Sequence, residues 1–240
     1  MSISSLSQAS LAAAILASAV GTYHALSPPN PTPKTSPPSA VPDTIRRLNL
    51  TAKHSTKVTL APVGFIALYT ACLAFTYPEI PTGLLGHGGE NGLNASLLTW
   101  SPATAVPLAL ILFAGVPLRL VSYASLGRNF TFALSTPDRL NTGGIYRYVQ
   151  HPSYTGIAVL VLSNMALLYR TDGTISCWIP PSWFNVVQYL MWSAAPIALG
   201  LLFFALRFRV RQEESMLRDK FGVEWEVWHA KTPRFLPWGF

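Results

Sequence analysis

The apolar residues of this chain gather into long runs separated by short polar connections. Five runs stand out, at about 6–26, 58–77, 103–124, 153–169 and 185–206. Each is close to the roughly 17–25 residues a helix needs to cross a bilayer. None has a charge near its centre, where one would cost about 2.5–3.5 kcal/mol on insertion. Arg119 falls within the third run, near enough to its end for the side chain to snorkel to the surface. The fourth run is short. The pattern predicts an all-α, multi-pass integral membrane protein of about five transmembrane helices.

The charges between the runs give an orientation. The 27–57 connection holds Lys34, Arg46, Arg47, Lys53 and Lys57, and the 125–152 connection holds Arg128, Arg139 and Arg147. The tail beyond 206 holds Arg207, Arg209, Arg211, Arg218, Lys220, Lys231 and Arg234. The 78–102 connection has only Glu79 and Glu90, and 170–184 has Arg170 balanced by Asp172. Basic connections alternate with neutral or acidic ones, so the positive-inside rule places the N-terminus outside or in the lumen and the C-terminus in the cytosol. The first run is read as an uncleaved anchor rather than a signal peptide, because no Lys or Arg precedes it and it is long.

Composition agrees. Half of the 240 residues are hydrophobic and 11% are charged, against about 25% in soluble domains. Mean hydropathy is +0.33. The formal charge of +7 is spread over short clusters between spans, which does not describe a nucleic-acid-binding module. Two cysteines, Cys72 and Cys177, give neither a disulfide framework nor metal-ligand spacing, and no metal is expected. Residues 27–43 are proline-rich and predict an extended linker. The chain divides into an anchor plus linker at 1–57 and a membrane-embedded unit at 58–240. Asn94 heads a glycosylation sequon on the predicted lumenal side, whereas those headed by Asn49 and Asn129 should face the cytosol.

Two cytosolic stretches are richer in chemistry than connections require. The first runs from Leu140 to Gly156 and contains Gly143-Gly144, Tyr146 and His151-Pro152-Ser153-Tyr154. The glycines permit a tight turn and close approach to a ligand. Pro152 suits the first turn of a helix, which puts His151 beside free backbone donors and a positive dipole end. Such a junction suits a polar ligand, and equally an ordinary helix start with interfacial tyrosines. The second stretch, Arg207 to Glu214, leaves the fifth run directly. It can be read as a positive anchor with exposed ion pairs between Arg209 and Glu213 and between Arg211 and Glu214. The tail beyond it, with Gly222, Trp225, Trp228 and Trp238, is expected to fold back over the 140–152 loop and close a pocket.

In combination these stretches resemble the isoprenylcysteine carboxyl methyltransferase family and its relatives among the phospholipid methyltransferases. The matching residues are Gly144, Tyr146, His151-Pro152-Ser153-Tyr154 and Gly156, then Arg209, Glu213 and Glu214, then Phe221-Gly222, Arg234 and Leu236-Pro237. The resemblance covers roughly residues 103–240. It implies an S-adenosyl-L-methionine-dependent carboxyl O-methyltransferase acting on the C-terminal carboxylate of prenylated proteins, with the C-terminal helices closing a cytosolic cofactor pocket. An endoplasmic reticulum location follows from the same resemblance. Cofactor contacts carried over are Asp138, Arg139, Leu140, Asn141, Tyr146, His151, Pro152, Ser153, Tyr154 and Glu213. Arg209 faces the methyl acceptor and Glu214 completes an acidic pair, and these two are the catalytic candidates. Two departures, Gln150 where relatives often carry Arg and Trp225 for a Tyr, bear on the acceptor. An amine or phospholipid N-methyltransferase of the same superfamily is therefore an alternative, as is a sterol-reductase-like enzyme using NADPH. A non-enzymatic scaffold or transporter would be expected to bury charge along a path through its spans.

Overall fold

The structure is a computed structural model and describes residues 3–30, 53–132 and 136–235. These residues form helices and turns with no strand. Most of the proline-rich linker, the charges Lys34, Arg46 and Arg47 of the first connection, the sequon at Asn49, and Leu236, Pro237 and Trp238 of the tail lie outside the described residues. In chain order the helices are α1 (Ile3–Leu26), α2 (Lys53–Thr76), the single turn α3 (Thr82–Leu85), α4 (Pro102–Leu110), α5 (Val116–Leu126), α6 (Pro152–Leu168), α7 (Pro181–Phe221) and α8 (Val223–Lys231).

Four stretches are long and apolar enough to cross a membrane: Ser5–Leu26, Thr56–Thr76, Ala95–Asn129 and Pro181–Phe221. The fourth run of the sequence becomes α6, 17 residues long, about 25 Å at 1.5 Å per residue and so at the lower edge of what spans hydrocarbon. The third run is not one α-helix. Ser101 starts it with a capping box, its side chain accepting from Ala103 N and its own N–H donating to Thr104. A five-residue π turn, Ile111–Gly115, then separates α4 from α5. Pro117 accounts for the break, because its ring has no N–H to give to the preceding turn.

α1 lies along α2, and α6 packs across α4, the π turn and α5. Leu11, Ile15, Ala67, Ala71, Leu108, Ile111, Leu160 and Leu168 form the core between them. Two glycines bring α6 close to the broken helix. A Cβ on Gly115 would sit 2.8 Å from Leu160, and one on Gly156 would sit 2.9 Å from the Arg119 Cγ. Small residues at such crossings let helix backbones approach.

At one end of the bundle the 78–101 and 170–180 connections are stitched together. Asn91 donates to the Ser176 and Ile179 carbonyls, both at 2.7 Å. Asn94 donates to Asp172 at 3.0 Å while its own oxygen accepts from Ser96. At the opposite end, Asn30 after α1 donates to the carbonyls of Gly127 and Phe130, each at 2.8 Å.

Burial is inverted along α7. Trp183, Tyr189, Trp192, Phe203 and Phe204 in its apolar part are all exposed, whereas its buried residues are Arg209, Val210, Gln212, Glu214 and Leu217. The apolar stretch ends near Leu206, and the polar turns beyond it face the rest of the protein. Gly222, at φ 51°, ends the helix, a conformation glycine adopts at little cost. α8 therefore turns away from the axis of α7, and Arg218 pairs with Glu226 across the bend at 3.0 Å.

Candidate active site

A cavity of about 240 Å³ lies where the C-terminal ends of α1 and α5, the N-terminus of α6 and the polar end of α7 meet. Its wall contains Arg139, Leu140, Asn141, Tyr146, His151, Ser153, Tyr154, Arg209 and Glu213, nine of the residues singled out from the sequence. Asp138, Pro152 and Glu214 stand outside the wall. Pro152 is buried as the first residue of α6, and Asp138 is exposed.

The acidic pair has divided duties. Glu213 faces the cavity and accepts a 2.7 Å hydrogen bond from the Tyr154 hydroxyl. Glu214 points to the tail. Arg234 donates to both of its oxygens, at 2.8 and 3.2 Å, and the buried His151 Nε2 lies 3.3 Å away, a contact that bonds only when Nε2 carries the proton. Burial alone would raise the Glu214 carboxyl, but the hydrogen bonds from His151 and Arg234 outweigh it and hold the group at about 2, below its ordinary 4.5. Tyr146 moves the other way: burial and then the charge of Glu213 push its phenol above the ordinary range, so it stays a neutral donor.

The tail closes over this junction as a strap. Gln150 N donates to the Pro233 carbonyl and His151 N to that of Arg234, both at 2.9 Å. The Gln150 amide reaches the carbonyls of His229 and Thr232, and its oxygen accepts from His229 Nδ1 at 2.8 Å. Gln150, one of the two departures from the family pattern, thus holds the strap down. Trp228 joins the wall and donates to the Tyr146 carbonyl at 3.1 Å. Trp225, the other departure, is buried and stacks on His229 at 4.3 Å. Burial, ahead of the nearby charges, lowers the His229 pKa, which favours the neutral ring that this stack holds.

Arg119 corrects an expectation. It does not snorkel: it is buried, 3% exposed, and lines the cavity. Its Nε donates to the Ala25 carbonyl at 2.8 Å, and its Nη1 donates to Ser153. The guanidinium sits over the rings of Tyr123, Phe130 and Phe132, at 4.7, 5.5 and 5.4 Å. Among the described residues no carboxylate pairs with it. The signal that could have found it was its place: a cation inside an apolar run, more than a turn before the run's end. Arg209, also buried, donates to the Phe132 carbonyl at 2.6 Å. Two arginines thus reach one cavity from α5 and α7. Among the described residues no cluster of metal-ligating side chains occurs.

A helical membrane fold with a buried site of paired arginines and a tyrosine-held carboxylate delimits a class, and comparison with known proteins gives it a name. Residues 107–180 match the family model described as the isoprenylcysteine carboxyl methyltransferase (ICMT) family. A probable protein-S-isoprenylcysteine O-methyltransferase of Oryza sativa subsp. indica is 25% identical over 158 residues, covering 64% of this chain and 71% of the relative. Its counterpart in subsp. japonica matches equally. The protein-S-isoprenylcysteine O-methyltransferase of Schizosaccharomyces pombe is 27% identical over 127 residues, 51% of this chain and 45% of the relative. No solved structure matches significantly. Over the matched residues the chain is similar to the isoprenylcysteine carboxyl methyltransferase family, and its class is that of a methyltransferase with several membrane-spanning helices.

Proposed function

We propose that this chain transfers the methyl group of S-adenosyl-L-methionine to the C-terminal carboxylate of a prenylated cysteine. We propose further that it does so at the cytosolic face of the endoplasmic reticulum, with five crossings and the α7–α8 tail closing the site. The wall suits the donor. The Glu213 carboxylate fits its cationic and hydroxyl-bearing parts, Asn141 offers amide groups, and Tyr146 and Trp228 offer rings. When bound, the donor supplies an electrophilic methyl group on a sulfonium.

The observation that carries the acceptor assignment is Arg119. A buried guanidinium paired, among the described residues, with a carbonyl, a hydroxyl and ring faces leaves its charge incompletely compensated. With Arg209 on the same wall, an entering carboxylate completes that compensation and is oriented by it. An amine acceptor would meet two cations instead, and would have to give up a proton. A carboxylate is already ionised, so no residue has to act as a base, and the wall needs only to orient and to exclude water. Esterification removes the acceptor's charge, which loosens its hold on both arginines and favours release of the product.

The test compares acceptors in membranes containing the chain, with labelled S-adenosylmethionine. N-acetyl-S-farnesylcysteine should acquire a base-labile methyl ester, and phosphatidylethanolamine should acquire no label. Arg119→Gln should lower kcat/KM for the farnesyl analogue about 100-fold or more, as loss of one partner of a buried charge pair does, while donor binding stays within about twofold. Label on phosphatidylethanolamine alone would overturn the acceptor assignment.

A further inference from the structure

α1 stands outside the span matched by the family model, yet its last turn is built into the site. The Ala25 carbonyl accepts from both Arg119 and Tyr123. Asn30, one turn further on, ties the chain to Gly127 and Phe130. These bonds fix the residue between them, Leu26. It packs on the helical core and is the one residue of α1 in the cavity wall among the described residues.

Adjacent contacts give the wall an order. Glu213 bonds Tyr154, its neighbour Ser153 bonds Arg119, and Arg119 bonds Ala25. Along these contacts Leu26 adjoins the Arg119 end, next to Ala25, and Glu213 stands at the other. Leu126, Phe130 and Ile157 also line the wall, and the Phe130 ring lies against the Arg119 guanidinium while its carbonyl holds Asn30, so apolar surface adjoins Arg119 here. An acceptor whose carboxylate meets Arg119 must send its apolar chain somewhere other than toward Glu213, and Leu26 and Phe130 offer apolar wall beside Arg119.

We propose that Leu26 is a specificity-determining residue for the acceptor, touching its apolar chain and setting the length and bulk that the site accepts. This rests on the carboxylate-acceptor reading above. It makes α1 a working wall of the enzyme as well as an anchor. A leucine here offers a smooth, medium-sized contact. A larger side chain shortens the space available, and a smaller one lengthens it, by differences that a hydrophobic pocket turns into roughly 10-fold or greater discrimination.

The experiment measures kcat/KM of the full chain in membranes for geranyl-, farnesyl- and geranylgeranyl-cysteine analogues, in wild type, Leu26→Trp and Leu26→Ala. Donor affinity by calorimetry reports folding. The expected result is that Leu26→Trp loses activity on the geranylgeranyl analogue about tenfold more than on the geranyl one, and that Leu26→Ala shifts the ratio the other way. Donor affinity should stay unchanged. Equal scaling of all three acceptors in both variants would overturn the inference while leaving the enzyme's function standing. Should Leu26→Trp fail to bind donor, Leu26→Ala alone decides, and an unchanged ratio there is refutation. A wild type that esterifies none of the analogues would overturn the acceptor reading, and this inference with it.

Discussion

Replacing Glu214 by glutamine tests the role given to the ion pairs beneath the strap. The substitution keeps the size of the side chain and removes its charge. The glutamine oxygen can still accept one bond from Arg234, but its amide then confronts a second donor, either the other Arg234 nitrogen or His151 Nε2. Moving a carboxyl from 4.5 to about 2 corresponds to about 3 kcal/mol favouring the ionised form. The Arg234 side chain is 52% exposed, and solvent screening reduces the measurable part to roughly 2 kcal/mol. Because the folded value lies below the unfolded one, this stabilisation is complete above about pH 4.5 and is lost as pH falls toward about 2. Thermal unfolding of purified protein in detergent should therefore show Glu214→Gln melting roughly 4–8 °C lower at pH 7. The gap should close progressively below pH 4.5. A gap that persists unchanged at pH 3, or none at pH 7, would refute the reasoning. Glu214 stands outside the cavity wall, so its effect on turnover should appear as a raised KM for the donor, through a loosened strap, more than as a lowered kcat.

Two further tests, one a substitution and one a modification, probe the frame of the protein. Gly156→Ala drives a methyl to within 2.9 Å of the Arg119 Cγ and 3.2 Å of the Gly115 carbonyl; it should cost about 1–3 kcal/mol of stability and lower kcat/KM for the farnesyl analogue, seen as a lower melting temperature together with slower esterification. Asn94 should carry no glycan despite its sequon, because its amide is engaged by Asp172 and its oxygen caps the following turn; endoglycosidase treatment of protein from eukaryotic cells should leave its gel mobility unchanged, and a shift would contradict the arrangement.

What the sequence made legible follows from what each signal depends on. The long apolar runs and the elements at their ends were readable because lipid imposes a length on any spanning helix. Pro152 announced the start of α6 and Gly222 the end of α7 by local backbone chemistry alone. The break at Ile111–Gly115 was less visible, although Pro117 marks it, since a single proline inside an apolar run can be absorbed in several ways. The site was legible in its parts, yet its internal arrangement was not. Glu213 and Glu214 are neighbours with the same chemistry, and only the direction each takes from α7 sends one to the cavity and the other to Arg234. Gln150 looked like a weakness against the family pattern until its partners in the tail came into view. Arg119 was misjudged because snorkelling depends on whether a neighbouring helix leaves the side chain free to reach water. Here Ala25 and Ser153, both distant in sequence, capture it first.

The inverted burial of α7 has a bearing on how the enzyme comes into being. The lipid-facing stretch of α7 is synthesised before the polar turns that carry Arg209 and Glu213, and the strap that seats on Gln150 and His151 comes later still. Leu26 and Ala25 are made before α5 and α6, and wait in the bilayer until those helices arrive beside them. The cavity is thus bordered by two elements far apart in the chain, α1 and the strap. Without α1 or the strap, most of the spans would remain while the cavity lacked part of its wall.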